Sequence, residues 1–166
     1  MKLRRYKPED CAETARLFYE TVHRVNARDY TPEQQNAWAP EPAATEAWND
    51  SLMQHDSWVA TENGRIIGFA DMDPTGYLDR LYVRHDFQRQ GVAKALCDLL
   101  EDRFQGSRIS THASITAKGF FEHRGYRVIR EQFVGRAGVQ MKNYIMEKDR
   151  ENPQDPQKGA KNKVLV

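Results

Sequence analysis

Several large protein classes are excluded by what this chain lacks. It has only two cysteines in 166 residues. Cys11 and Cys97 lie far apart and match no C-x-x-C spacing, so a disulfide scaffold is excluded and free thiols in a reducing compartment are expected. No charge sign prevails. The 25 Lys and Arg residues stand against 24 Asp and Glu, so the one-signed field of a nucleic-acid or membrane-surface binder is missing. No apolar run approaches the roughly 20 residues that span a bilayer. The N-terminus opens basic with Met1-Lys2-Leu3-Arg4-Arg5, but Tyr6-Lys7-Pro8-Glu9-Asp10 follows at once where a signal peptide needs its apolar stretch. There is no internal repeat. The histidines, His23, His55, His85, His112 and His123, show no metal-ligand spacing. These absences lead us to expect a cytoplasmic protein with no nucleic-acid, membrane or metal partner.

What is present fits one globular unit. Hydrophobic residues make up 39% of the chain and charged residues 30%, and the length can bury an ordinary core. A domain is expected over residues 1–148. Residues 149–166 are polar and rich in Pro, Gln and Lys, cannot bury enough apolar surface to offset their ordering entropy, and are expected to form a disordered tail ending in Val164-Leu165-Val166.

The periodicity of the body alternates between helix and strand. A short strand near Lys2–Arg5 precedes a helix from about Pro8 or Asp10, with Cys11, Ala15, Phe18, Val22 and Val25 on one face. Thr31-Pro32-Glu33-Gln34 is a helix start with cap, first-turn proline and capping box. A further helix covers Glu46–Gln54. Strands are expected at Ser57–Glu62, Arg65–Asp73 and Gly76–Val83, the first two joined by an Asn63-Gly64 hairpin turn. An amphipathic helix starts at Gly91, with Val92, Ala95, Leu96, Leu99, Leu100 and Phe104 on its apolar face. A strand at Arg108–Thr111, a helix at about Ile115–His123 and strands at Tyr126–Phe133 and Val139–Lys148 complete a mixed α/β pattern.

One segment carries chemistry. The strand ending in Leu81-Tyr82-Val83 runs into Gln88-Arg89-Gln90-Gly91-Val92-Ala93, which opens directly into the helix. A helix N-terminus leaves N–H groups without partners and carries partial positive charge, so it seats a phosphate or pyrophosphate. Gly91 has no side chain to hold an anion away from it. No Gly-Lys-Ser/Thr follows and no Rossmann glycines are present, so neither of those nucleotide motifs applies. Further on, Ala113-Ser114-Ile115-Thr116-Ala117-Lys118-Gly119-Phe120-Phe121 leads through Glu122-His123-Arg124 to Gly125-Tyr126.

These two segments, in this order, resemble the coenzyme A site of the GNAT superfamily of N-acetyltransferases, whose motif is Gln/Arg-x-x-Gly-x-Gly/Ala after an apolar strand. Thr31–Ala39, Trp58-Val59-Ala60, Ala113–Lys118, Phe120-Phe121-Glu122 and Asn143-Tyr144 resemble the YafP-like bacterial members more closely still. The likeness implies a GNAT-like α/β fold: a mixed, mostly antiparallel central sheet flanked by helices and splayed between the fourth and fifth strands. It implies acetyl-CoA as co-substrate and a small-molecule or protein amine as acceptor; a homodimer stays open. Leu81, Tyr82 and Val83 would pair with the pantetheine arm, Gln88 to Ala93 would hold the pyrophosphate, and Arg89 would face a phosphate. Ser114 would hydrogen-bond the cofactor, and Phe120 and Phe121 would pack on its arm.

Acetyl transfer to an amine needs a base, because an alkyl amine of pKa ~10.4 is neutral in only about one molecule in two thousand at pH 7. Asp79 is the candidate, four residues before Val83, where members of the superfamily carry a Glu or Asp acting through water. The alternative is a structural carboxylate paired with Arg80 or Arg84. Asp71, Asp73 and Glu62 are weaker candidates. The position where many members place a Tyr as general acid holds Phe121, so the acid is unassigned among Tyr126, Tyr82, Tyr144 and solvent. Tyr30, Trp38 and Trp48 fall in the region that covers the acceptor site of this fold. A catalytically weak acyl-CoA-binding module is the competing reading.

Overall fold

The run Ile66-Ile67-Gly68-Phe69-Ala70 offers no polar side chain to water on either side, and the fold buries it from both faces. In the computed structural model, which describes residues 1–151, it forms the middle of an interior strand. The elements are β1 (Lys2–Arg5), α1 (Cys11–Arg24), α2 (Pro32–Trp38), α3 (Glu46–Gln54), β2 (Asp56–Glu62), β3 (Arg65–Met72) and β4 (Tyr77–Val83). They continue with α4 (Val92–Arg103), β5 (Arg108–Ser114), α5 (Lys118–His123), β6 (Arg127–Arg136) and β7 (Val139–Asp149). The strands form one seven-stranded sheet in the order β1-β2-β3-β4-β5-β7-β6. Only the β4–β5 pair is parallel.

Side chains alternate between faces along β2 and β3, and a bulge at Ile67, where Ala60 pairs with Gly68 but Thr61 with Ile66, resets the alternation in β3. Val59, Ile66 and Phe69 pack with Tyr6, Leu17 and Leu52 on the side of α1 and α3. Ala60, Ile67 and Ala70 pack with Leu78, Leu96, Leu100, Ile109 and Met146 on the side of α4. Gly68 sets how closely α4 approaches: a Cβ there would come within 2.7 Å of Val92 Cγ1. The absent side chain lets the first turn of α4 lie directly on β3.

The local signals act as read. Thr31 Oγ1 accepts from the Gln34 N–H at 3.2 Å, and Gln34 Oε1 accepts from the Thr31 N–H at 2.9 Å, closing the capping box. Asn63 and Gly64 adopt φ of 50° and 75°, the left-handed pair of a tight hairpin turn.

Several boundaries differ from expectation. β5 continues past Thr111 to Ser114, and the next helix begins at Lys118 instead of Ile115. The reason is local: the Ala117 N–H donates to both the Ser114 carbonyl and Oγ at 3.1 Å, so residues 115–117 form a turn. β6 starts at Arg127 and runs on to Arg136. β7 runs through Asp149, past the expected end at Lys148. Asp149 bonds Arg108 at 2.9 Å and Arg127 at 3.1 Å, and the Arg150 N–H donates to the Ser107 carbonyl at 2.7 Å. The rest of the expected tail, residues 152–166, lies outside the described residues. Among the described residues, no helix is long and apolar enough to cross a membrane.

Candidate active site

β4 and β5 are paired at only two positions, Tyr77 with Ser110 and Leu78 with Thr111. Beyond Leu78 the strands part. At the same point β4 carries a bulge: Asp71 of β3 faces Arg80 while Met72 faces Leu78, leaving Asp79 as the extra residue. A bulge re-aims the side chains around it. Here it brings both Leu78 and Leu81 to the α4 side of the sheet.

A cleft of about 580 Å³ opens where the strands separate. Leu81, Tyr82 and Val83 line it from β4. Gln88, Arg89, Gly91, Val92, Ala93 and Lys94 line it from the loop and first turn of α4, and Ser114, Thr116, Ala117, Gly119 and Phe120 from the opposite side. Gly91 is the N-cap of α4 with φ of 83°, and no side chain caps this terminus. A Cβ on Gly91 would meet nothing within 4 Å, so the space before the uncapped N–H groups is open. This arrangement suits an elongated ligand with an anionic group at one end.

Most of the expected cofactor residues line this cleft, with informative exceptions. Gln88 lines it but turns its amide onto the chain, donating to the Val83 carbonyl at 2.7 Å and the Arg84 carbonyl at 3.3 Å, and so braces the loop against β4. Arg89 is exposed, with φ of 60°. Gln90 does not line the cleft; its amide donates to the Asp86 carbonyl at 3.3 Å. Phe121 does not line it either. It is buried edge-on against Phe120 and Tyr126, with ring centroids 5.3 and 5.0 Å away, because the inner face of α5 packs on the core.

The far wall lies outside the residues singled out from the sequence. Thr21, Val25, Asn26 and Arg28, at and beyond the end of α1, complete the lining. Thr21 Oγ1 donates to the Val83 carbonyl at 3.0 Å. Thr116 Oγ1 donates to Asp29 Oδ2 at 2.7 Å, so this wall is tied to the turn before α5. Asn26 is buried and its Oδ1 has no partner. These contacts join residues 62 and 87 positions apart; a polar residue on an otherwise apolar helical face, such as Thr21, was the one visible hint.

Asp79 lies beside the cleft without lining it, in a charged cluster on the α3 side. Arg80 grips Asp71 with two bonds of 2.8 Å, and His55 Nδ1 donates to Asp71 Oδ2 at 2.6 Å. Asp71 has no exposed surface. Arg80 also reaches Asp79 Oδ2 at 3.5 Å. Burial and the neighbouring Asp71 charge raise the Asp79 carboxyl above the usual range, against the opposing pull of Arg80 and His55. His55 is raised as well, first by its bond to Asp71. One atom each of His55, Asp71 and Asp79 lies within 4.8 Å of the others, a spacing that a cation could share. The Arg80 guanidinium and His55 already take both Asp71 oxygens.

Tyrosines offered as proton donors are otherwise engaged. The Tyr126 hydroxyl donates to Glu101 at 2.8 Å. Burial pushes the Tyr82 hydroxyl far above its ordinary value. Tyr30 donates to the Lys142 carbonyl at 2.6 Å and accepts from the Ile115 N–H at 3.0 Å, which makes it a structural tie. Trp38 stacks edge-on with Tyr30 and Tyr82, at 5.3 and 6.4 Å.

Comparison with known proteins agrees with this architecture. The acetyltransferase (GNAT) domain family matches residues 26–148. The uncharacterized N-acetyltransferase YafP of Escherichia coli strain K12 is 32% identical over 146 residues, covering 88% of this chain and 94% of that protein. A crystal structure from Rhodopseudomonas palustris, described as a GCN5-related N-acetyltransferase and as an aminotransferase, class II, has a TM-score of 0.83 at 32% identity. It covers 89% of this chain and 94% of its own. The PaiA N-acetyltransferase of Thermoplasma acidophilum, solved in complex with coenzyme A, has a TM-score of 0.68 at 18% identity, covering 90% and 98% of the two chains, and shares the fold. With its family match over most of the chain, its relatives and its splayed mixed sheet, the chain belongs to the GNAT family of acetyltransferases.

Proposed function

We propose that the protein is an acetyl-CoA-dependent N-acetyltransferase acting on a primary amine of a small molecule or a protein. The observation that carries this reading is the cleft itself, which lies between the parted strands β4 and β5 and ends at the uncapped N-terminus of α4. The residues fit the co-substrate on two counts. Open space stands before Gly91, where a diphosphate needs to approach, and Asn26 of the wall holds a buried acceptor without a partner.

Acetyl-CoA supplies the acetyl group as an activated thioester. In this reading the N–H groups of the first turn of α4, with Arg89 beside them, hold its pyrophosphate. The edge of β4 at Leu81, Tyr82 and Val83 that β5 leaves without a partner strand aligns the pantetheine arm, while Phe120 and Ser114 bound it from the other side. The free β4 backbone near Tyr82 and Val83 offers N–H donors to a carbonyl that gains negative charge. Asp79 takes the amine proton through water. Its raised pKa makes it a stronger base than an ordinary carboxylate. With Tyr126 and Tyr82 engaged or suppressed, Tyr144 and solvent are left as proton sources for the departing sulfur.

The test is to mix the protein with acetyl-CoA and a panel of alkyl amines, polyamines and peptides, and to follow free thiol. Amine-dependent thiol release supports the reading. Acetyl-CoA binding without release from any amine would make the protein an acyl-CoA-binding module, and a melting curve unmoved by millimolar acetyl-CoA would remove the reading altogether.

A further inference from the structure

A carboxylate that serves as a base has to stay clear of cations, and Asp79 sits beside one. Arg80 follows it in β4, and Arg80 Nη2 lies 3.5 Å from Asp79 Oδ2. A closed guanidinium–carboxylate pair would stabilise the ionised form and remove its basicity, because an opposite charge within about 4–6 Å lowers a carboxyl pKa by about 1–3. The pair stays open. Among the described residues, no hydrogen bond reaches the Asp79 carboxylate, and every bond from Arg80 goes elsewhere.

The register of β3 and β4 sets Asp71 directly opposite Arg80. Arg80 Nε donates to Asp71 Oδ1 at 2.8 Å, and Nη2 donates to Asp71 Oδ2 at 2.8 Å and to Ser51 Oγ at 2.7 Å. Nη2 carries two hydrogens and both are engaged, so the nitrogen that approaches Asp79 has none left to donate. The guanidinium also lies 5.1 Å from the centroid of the Trp48 ring, which fixes its position further. Asp71 is held in turn. It has no exposed surface, and His55 Nδ1 donates to its Oδ2 at 2.6 Å.

We propose that Asp71 is a positioning residue for acetyl transfer: it holds the Arg80 guanidinium away from Asp79 and so leaves Asp79 free to take the amine proton. This rests on Asp79 being the base in the reading above. An Asp79 oxygen takes one proton from R–NH3+ through water, the nitrogen keeps its electron pair, and the proton returns directly to solvent from a side chain that is 36% exposed. The Asp79 carboxyl is raised by burial first and by the Asp71 charge next, although Arg80 and His55 pull the other way. One oxygen of Asp71 lies within 4.8 Å of one of Asp79, so Asp71 adds a repelling charge as well. Besides Asp71 and Arg80, the groups facing Asp79 are Asp73 in the turn after β3, His55 at the C-cap of α3, Tyr77 and Tyr82 on β4 and His112 on β5.

The experiment uses the full chain, acetyl-CoA and the amine that gives the fastest thiol release. The base must be ionised, so turnover rises with pH through the Asp79 titration. Asp71→Asn removes the charge that holds Arg80, and the guanidinium is then free to close on Asp79. The rise should move to lower pH by about one pH unit or more. On the plateau kcat should fall by up to about 10²-fold, with the KM for acetyl-CoA unchanged. Arg80→Gln removes the cation and keeps Asp71, so it should move the rise to higher pH. A merely structural role would not shift the rise in opposite directions. An Asp71→Asn enzyme with the parental rise, or an Arg80→Gln enzyme whose rise moves to lower pH, overturns the proposal and leaves the acetyltransferase reading standing. A third measurement needs neither variant to fold. Carbon-13 NMR of the parent follows its carboxyl groups, and the Asp79 signal is the one missing from Asp79→Asn. It should titrate above the ordinary aspartate value of about 3.9. Titration below that value means that Arg80 has already captured Asp79, and it overturns the proposal whatever the variants do. Full turnover in Asp79→Asn removes the base and the proposal with it, and thiol release that no amine accelerates removes the acetyltransferase reading as well.

Discussion

The hydroxyl of Tyr126 donates to Glu101 Oε1 at 2.8 Å, which ties the strand-side aromatic behind α5 to the last turn of α4. Glu101 also takes Arg124 at 2.7 Å and Lys148 at 3.1 Å, so a nearly buried carboxylate has three partners. Tyr126→Phe should therefore cost about 1.5–3 kcal/mol of stability, as expected for one hydrogen bond to a charged group. Turnover should not change, because this hydroxyl is not free to donate to a departing sulfur. Urea unfolding and steady-state kinetics on the same preparation check both halves.

Gly91 combines a left-handed backbone with open space in front of it. Gly91→Ala tests the backbone alone and should cost about 1 kcal/mol of stability. Gly91→Glu adds bulk and negative charge at the proposed phosphate seat and should weaken acetyl-CoA binding by roughly tenfold or more. Calorimetric titration of the two variants separates strain from exclusion. Parental affinity in Gly91→Glu would show that the anion sits elsewhere.

Asp79→Asn should lower turnover by about 10²–10⁴-fold while leaving the dissociation constant for acetyl-CoA near the parent value. The side chain keeps 36% exposure, and its nearest cation, Arg80, already has a better partner in Asp71, so the fold should survive the change. Full turnover in the variant would make Asp79 a bystander to the Asp71–Arg80 pair.

Stability should depend on pH in opposite senses at the two extremes. Burial alone would raise the Asp10 carboxyl, but Arg4, with bonds of 2.7 and 2.9 Å, and the Lys7 N–H at 3.0 Å outweigh it and hold it low. Its folded pKa lies below its unfolded value, so the stability it contributes is present above about pH 4 and lost as pH falls through the folded value. His55 is raised, so its contribution is complete below about pH 6.5 and lost as pH rises through its folded value. Urea midpoints between pH 2 and 9 should show both losses. Asp10→Asn should cost about 1–3 kcal/mol at pH 7 and flatten the acidic limb.

Much of this molecule was written in local pattern. The Thr31–Gln34 capping box, the Asn63-Gly64 turn and the Gly91 helix start depend on residues within a few positions of one another, so the sequence alone determined them. The same holds for the helical and strand periods, since each element buries its own apolar face. The loop before α4 was legible for this reason: its shape comes from one strand, one glycine and one helix terminus in succession. Other features required the chain to close. Asp149 joined the sheet because Arg108 and Arg127 were already waiting across it. No local pattern brings Thr21, Asn26 and Arg28 into a wall opposite α4, or sets His55 on Asp71 beside Asp79. Such contacts join residues tens of positions apart, and their closure is decided by how the helices pack on the sheet. The bulge that singles out Asp79 is likewise a property of two paired strands, visible only once β3 and β4 have taken their register.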